Sequence, residues 1–213
     1  PDDLMLYRNE TPIQSIIDQS DLTKDITDES IRFIEENKDN QFFLYIAHPQ
    51  PHVPLFASKD FNGSTGNGLF ADVISEIDFS VGRVIEALEK HNLTENTIVV
   101  FTSDNGPWLS YGDHAGSSGI YREGKGTAWE GGQRVPCIIK YPKEIKAKTI
   151  IDEPVMGIDW MPTFSHITGS KLSDNKIDGK NIWPLLTHKE NKSPHKELYF
   201  YYRQNELHAV RSG

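Results

Sequence analysis

Across residues 69–91 apolar side chains return at three- and four-residue steps, through Phe70, Val73, Ile74, Ile77, Val81, Val84, Ile85 and Leu88. That period lays one apolar stripe along an α-helix, and Asn92 closes it. A shorter stripe of Ile31, Phe33 and Ile34 follows Thr27, Asp28 and Glu29. Thr27 there predicts a helix cap with acids in the first turn, and the polar residues 37–40 predict the end. A third helix is predicted from Asp159 through Trp160, Met161, Phe164 and Ile167 to Gly169. Between these helices stand apolar runs without alternation, at residues 42–47, 97–102 and 135–141. Such runs predict strands covered on both faces. Residues 198–202 and 208–211 predict further strands, and the polar stretch up to about Asp25 predicts a surface loop.

Helices alternating with doubly buried strands predict an α/β fold, an open and mostly parallel sheet flanked by helices. No repeat, low-complexity tract or linker separates Thr27 from Gly169, so this stretch reads as one domain. In sheets of this kind ligands gather beyond the carboxyl ends of the strands. Two segments fall there: His52, after the first apolar run, and Asp104-Asn105, after the second.

Charge narrows the partners. With 22 basic against 31 acidic residues the formal net charge is −9, which opposes nucleic acid and anionic membranes. An anionic substrate then needs a local cation in an acidic body. The single cysteine, Cys137, leaves no internal disulfide framework and reads as a small core residue of an apolar strand. No transmembrane stretch is present, and Pro1, Asp2 and Asp3 do not begin a signal peptide. Without an initiator Met the chain reads as cut from something longer.

Candidate chemistry sits in four loops. Asp104-Asn105-Gly106 offers adjacent oxygen donors suited to a hard cation, or an Asx turn that Pro107 terminates. His52 lies among Pro49, Pro51 and Pro54, which stiffen its loop, so its imidazole is either a directed proton donor or a surface histidine. Lys125 stands between Gly124 and Gly126, where an ammonium can approach an anionic oxygen closely or stay solvated. A phosphate-binding loop is excluded because Gly126 occupies the position that needs Ser or Thr. His114 is a candidate substrate contact on a glycine-rich loop, and Asp78 reads as a capping or buried hydrogen-bonding residue on the long helix. Three Asn-x-Ser/Thr matches, at Asn62, Asn92 and Asn191, are short enough to arise by chance.

Taken in order, FFLYIAHPQPHVP (42–54), TIVVFTSDNGP (97–107), GKGTAWEGGQRVP (124–136) and DWMPTFSHITG (159–169) resemble the formylglycine-dependent sulfatases, the arylsulfatase family of the alkaline-phosphatase-like superfamily. The resemblance covers nearly the whole chain. It implies that Asp104 and Asn105 bind a metal, Ca2+ in preference to Mg2+, which holds the sulfate oxygens. It implies that Lys125 binds a sulfate oxygen and that His52 contacts the ester oxygen and protonates the leaving alcohol. The family's nucleophile is a formylglycine made within a Cys/Ser-x-Pro/Ala-x-Arg motif. That motif is missing here, since Ile138, Ile139 and Lys140 follow Cys137, and the family's paired aspartates are missing as well. Both are expected upstream of Pro1. The chain is therefore expected to be the carboxyl-terminal portion of the catalytic domain, incomplete at both ends and inactive alone, with a surface loop (1–25), an α/β core (26–170) and the start of the carboxyl-terminal region (171–213). A sulfated small molecule or glycan is the implied partner, and periplasm, cell exterior or lysosome the implied compartment. A phosphodiesterase or phosphonate hydrolase of the same superfamily, or a non-catalytic calcium- or carbohydrate-binding relative, is the alternative.

Overall fold

The computed structural model describes residues 5–15, 18–202 and 204–213; the polar start Pro1, Asp2 and Asp3 lies outside them. The chain forms two compact units, one running to Leu93 and including Ser110–Gly116, the other comprising Thr94–Leu109 and Ser117–Gly213. No described helix is long and apolar enough to cross a membrane.

The first unit opens with a hairpin where a loop was expected: β1 (Met5–Arg8) pairs antiparallel with β2 (Thr11–Ser15). Helix α1 (Leu22–Asn37) begins ahead of its predicted start. Thr27 is not its cap. It is 1% exposed inside the helix, where its hydroxyl meets the Thr23 carbonyl at 2.6 Å and Ser80 Oγ at 2.6 Å. Thr23, Thr27, Ser30 and Ile34 are the buried residues of α1, at helical spacing, so small hydroxyls and one isoleucine make its inner face. That face meets α2 (Leu69–Lys90), as the Thr27–Ser80 bond and the 2.6 Å ion pair from Arg83 to Asp28 show.

Helix α2 runs as its periodicity predicts. Val73 and Ile77 join Leu55 and Ala57 in the core, and each of the three larger side chains, withdrawn from water, contributes roughly 1.5–3 kcal/mol. Asp78 is exposed, contrary to expectation, and the buried acids of this helix are Asp72 and Glu76. Asp72 accepts the Thr65 hydroxyl at 2.6 Å and the backbone N–H groups of Thr65 and Gly63 at 3.0 and 2.8 Å, which hold its carboxyl below its ordinary pKa. Glu76 accepts the Ser58 N–H at 2.9 Å, so two buried acids tie residues 58–65 to the helix.

The first predicted strand does not form. Residues 42–47 join no ladder, and their burial alternates: Phe42, Leu44 and Ile46 are half-buried, whereas Phe43 and Tyr45 are 73% and 80% exposed. Phe42 packs edge-on against Phe33 at 5.8 Å, so α1 covers one face. A strand exists only through its partners, and no described segment pairs with this one.

The second unit holds β3 (Val99–Thr102), the short helix α3 (Glu130–Gln133) and β4 (Cys137–Lys140). The β3–β4 pair is antiparallel, Val99 opposite Lys140 and Thr102 opposite Cys137. All three ladders among the described residues are antiparallel, so the mostly parallel pairing read from the apolar runs is not found within them. An apolar run specifies cover on two faces, not the direction of a neighbour. Cys137 is exposed and not a core residue, and Ile138 beside it is 65% exposed.

Helix α4 (Trp160–Thr168) ends at Gly169 with φ +70, the left-handed cap expected of that glycine. With α5 (Trp183–Leu186) it frames a core of Tyr141, Ile182, Trp183 and Leu186, to which Ile98 and Ile139 add partly buried surface. Asp159, with no exposed surface, staples this unit: it accepts from His195 Nε2 at 2.8 Å and from the backbone N–H groups of Met156 and Lys180 at 2.7 and 2.8 Å. The two strands predicted at 198–202 and 208–211 form, as β5 (Glu197–Tyr202) and β6 (Glu206–Ser212), and pair as an antiparallel hairpin.

Candidate active site

The five candidate residues divide between the units: His52 and His114 in the first, Asp104, Asn105 and Lys125 in the second. The structure knits the two loops of the second unit together by their backbones. Gly106 N–H donates to the Gly132 carbonyl at 3.0 Å and Lys125 N–H to the Pro107 carbonyl at 2.8 Å. Glycine is required at this junction. A Cβ on Gly106 would overlap the Gly131 carbonyl, one on Gly124 the Pro107 carbonyl, and one on Gly131 the Glu123 carbonyl. The metal candidates and the lysine thus share one rigid backbone framework.

Within it Asp104 is exposed and Asn105 half-buried. Asn105 Nδ2 donates to the Gly106 carbonyl at 2.9 Å, which turns the amide so that Oδ1 is its remaining metal donor. A carboxylate and an amide oxygen are the donor types of a hard cation, but they supply two of the six to eight oxygens that calcium takes. No cluster of three or more His, Cys, Asp or Glu side chains placed to hold a metal occurs among the described residues. The pair fits part of a calcium shell.

Lys125 is half-buried, and its Nζ stands 5.1 Å from the centroid of the Trp108 ring. On its other side Gly126, with φ +84, lies against Tyr202: a Cβ there would be 3.2 Å from the phenol oxygen. Arg211 Nη1 reaches both oxygens of Glu130, at 2.9 and 3.1 Å, and anchors β6 beside the same loop. Trp108, Tyr202 and the Arg211–Glu130 pair were not foreseen. Trp108 directly follows Pro107 and could have been suspected, whereas Arg211 and Glu130 are 81 residues apart and no local pattern links them.

In the first unit the His52 loop contains cis peptide bonds before Pro51 and Pro54. Gln50, 4% exposed, braces it by donating to the Pro54 carbonyl and accepting the Phe56 N–H, both at 3.3 Å. His52 is exposed, with Nδ1 2.7 Å from the Val53 carbonyl. Nδ1–H therefore donates, the ring direction is set, and proton exchange with a ligand falls to Nε2. His114 is exposed; behind it Ala115 is buried and Gly116, at φ +73, sits where a Cβ would run into the Phe70 ring. Cys137 pairs with Thr102 at the base of the Asp104 loop, and desolvation of its sulfur pushes its pKa up, the opposite of an activated thiolate.

The sequence profile of the sulfatase family matches residues 3–170. This chain belongs to the sulfatase family. It is 38% identical over 217 residues to a steryl-sulfatase of Homo sapiens, covering 99% of this chain and 37% of that protein. An arylsulfatase of Hemicentrotus pulcherrimus is 37% identical over 209 residues, covering 98% of the chain and 37% of that relative. Among solved structures, Ps i-CgsB in complex with k-i-k-neocarrahexaose matches with TM-score 0.85 and 32% identity over 98% of this chain and 48% of that one. The PsFucS1 sulfatase from Pseudoalteromonas sp. matches with TM-score 0.87 and 28% identity over 94% and 41%. The sulfatase segment therefore has the α/β, alkaline-phosphatase-like fold expected of it, and it spans less than half the length of these relatives.

Proposed function

We propose that this chain forms part of an enzyme that hydrolyses sulfate esters, with sulfated carbohydrates as the substrate class. The observation that carries the reading is the backbone junction that holds Lys125 and the Asp104-Asn105 pair in one framework, in a chain of this family. Lys125 holds a sulfate oxygen and stabilises the charge that grows as the S–O bond breaks. Asp104 and Asn105 provide two ligands to a Ca2+ ion, with Mg2+ the weaker fit; when bound, such an ion draws charge from the sulfate oxygens. His52 delivers a proton through Nε2 to the departing alcohol. His114 contributes to substrate contact. The formylglycine nucleophile belongs to a segment of the enzyme outside these 213 residues, which on this reading are the carboxyl-terminal portion of the catalytic domain. The carbohydrate assignment is supported by the name of one relative, solved with a neocarrahexaose, against relatives named for steryl and aryl sulfates. Periplasm, cell exterior or lysosome is the compartment that suits this substrate class.

The test is sulfate release by the full-length enzyme carrying this segment, expressed with a formylglycine-generating enzyme and offered an aryl sulfate and sulfated sugars. Lys125→Ala is expected to lower kcat by about 10²–10³-fold, the range for losing a donor that acts on developing charge. Phosphodiester cleavage in place of sulfate release, or full activity in the variant, would overturn the proposal.

A further inference from the structure

Resting on the reading of Lys125 above, we propose that Trp108 is the specificity-determining platform of this site, binding a cyclic leaving group by stacking on its C–H face. Four observations converge on it. The Lys125 ammonium lies 5.1 Å from the ring centroid, within the roughly 6 Å over which an aromatic face attracts a cation. Trp108 keeps 40% of its surface exposed with the lysine in place. The Lys125 N–H bond to the Pro107 carbonyl fixes the lysine backbone against the residue next to Trp108, so both side chains start from one junction. Tyr202 brings its phenol oxygen up to Gly126 and so adds a second aromatic side chain along the same loop.

A sulfate held on the Lys125 ammonium carries its ester oxygen and first ring atoms to the neighbourhood of the indole. A flat apolar face close to a cation suits a substrate that pairs an anion with a saturated ring. A small linear alcohol has no face to stack and gains little there. Trp108 thus selects among esters, while Lys125 serves all of them.

The experiment compares the full-length enzyme with its Trp108→Ala, Trp108→Phe and Lys125→Ala variants. It measures kcat and KM for a sulfated monosaccharide and for an acyclic alkyl sulfate, and inhibition by inorganic sulfate. Trp108→Ala is expected to raise KM for the sulfated sugar about five- to tenfold, with the acyclic ester and the sulfate inhibition constant changed less than about twofold, and Trp108→Phe to restore most of the loss. Equal losses on the ring ester, the acyclic ester and inorganic sulfate would show that Trp108 only positions Lys125, and unchanged KM on the sugar would show that it does not touch the substrate; either result overturns the proposal. Failure of the underlying reading looks different, because Lys125→Ala would then keep wild-type turnover on both esters.

Discussion

The loops that carry His52 and Lys125 are held by opposite means. The His52 loop is braced by a side chain: buried Gln50 spans it, and Pro49, Pro51 and Pro54 restrict its backbone. The Lys125 loop is held first by backbone, through glycines so close to neighbouring carbonyls that no Cβ fits, with Thr127 Oγ1 and Gln133 Nε2 donating to the Gly124 and Thr127 carbonyls in addition. The two supports absorb different substitutions. A side-chain brace can be weakened by degrees, whereas a backbone junction admits almost no change at its glycines yet tolerates substitution around them.

Gly106→Ala is expected to have the largest effect on the Lys125 loop. Its methyl would meet the Gly131 carbonyl, so the junction must part, and a loss of about 3 kcal/mol or more is expected in denaturant unfolding. Gln50→Ala removes the opposite kind of support and leaves the Phe56 N–H and Pro54 carbonyl without that partner. It is expected to cost about 1–3 kcal/mol and to raise hydrogen exchange in residues 50–56 while leaving the Lys125 loop protected. Arg211→Ala tests whether the Lys125 loop leans on β6. Both partners are partly exposed, so a loss of at most about 1 kcal/mol is expected, with the Gly106–Gly132 bond still protected.

A pH series separates the units further. His48 is half-buried, with Nδ1 buried and unpaired and Nε2 3.4 Å from Ser80 Oγ, and desolvation lowers its pKa from 6.5. The folded state then binds fewer protons than the unfolded state below pH 6.5, so stability is full above that value and declines as pH falls toward the folded pKa. His48→Gln is expected to flatten that slope in the first unit and to leave exchange in β5 and β6 unchanged.

How much of this was legible followed from what each residue has to specify. Helices α2 and α4 could be read because periodicity and Gly169 are local signals. The start of α1 could not, because Thr27 has the chemistry of a cap and yet is claimed by Ser80, a residue 53 positions on. Residues 42–47 and the β3–β4 pair show the limit for strands: apolar content announces cover, but direction and partner belong to other segments. In the site, the motif residues were legible because their loops carry glycine and proline signatures, and the glycine contacts explain why. The walls of Tyr202 and Arg211–Glu130 arise from packing between loop and hairpin and have no such signature, whereas Trp108 directly follows Pro107.

The most direct test of the account is the dependence of rate on the leaving group. Lys125 is assigned to the sulfuryl group and His52 to the departing oxygen, so kcat/KM should be measured for sulfate esters of alcohols from acidic phenols to sugar hydroxyls, in the full-length enzyme and in Lys125→Ala and His52→Ala. The account predicts that Lys125→Ala lowers all rates by a similar factor. His52→Ala should spare the most acidic phenol and lower the sugar ester by about 10²–10⁴-fold, since only a poor leaving group needs the proton. A His52→Ala penalty independent of leaving-group acidity, or a Lys125→Ala penalty that vanishes with good leaving groups, would contradict it.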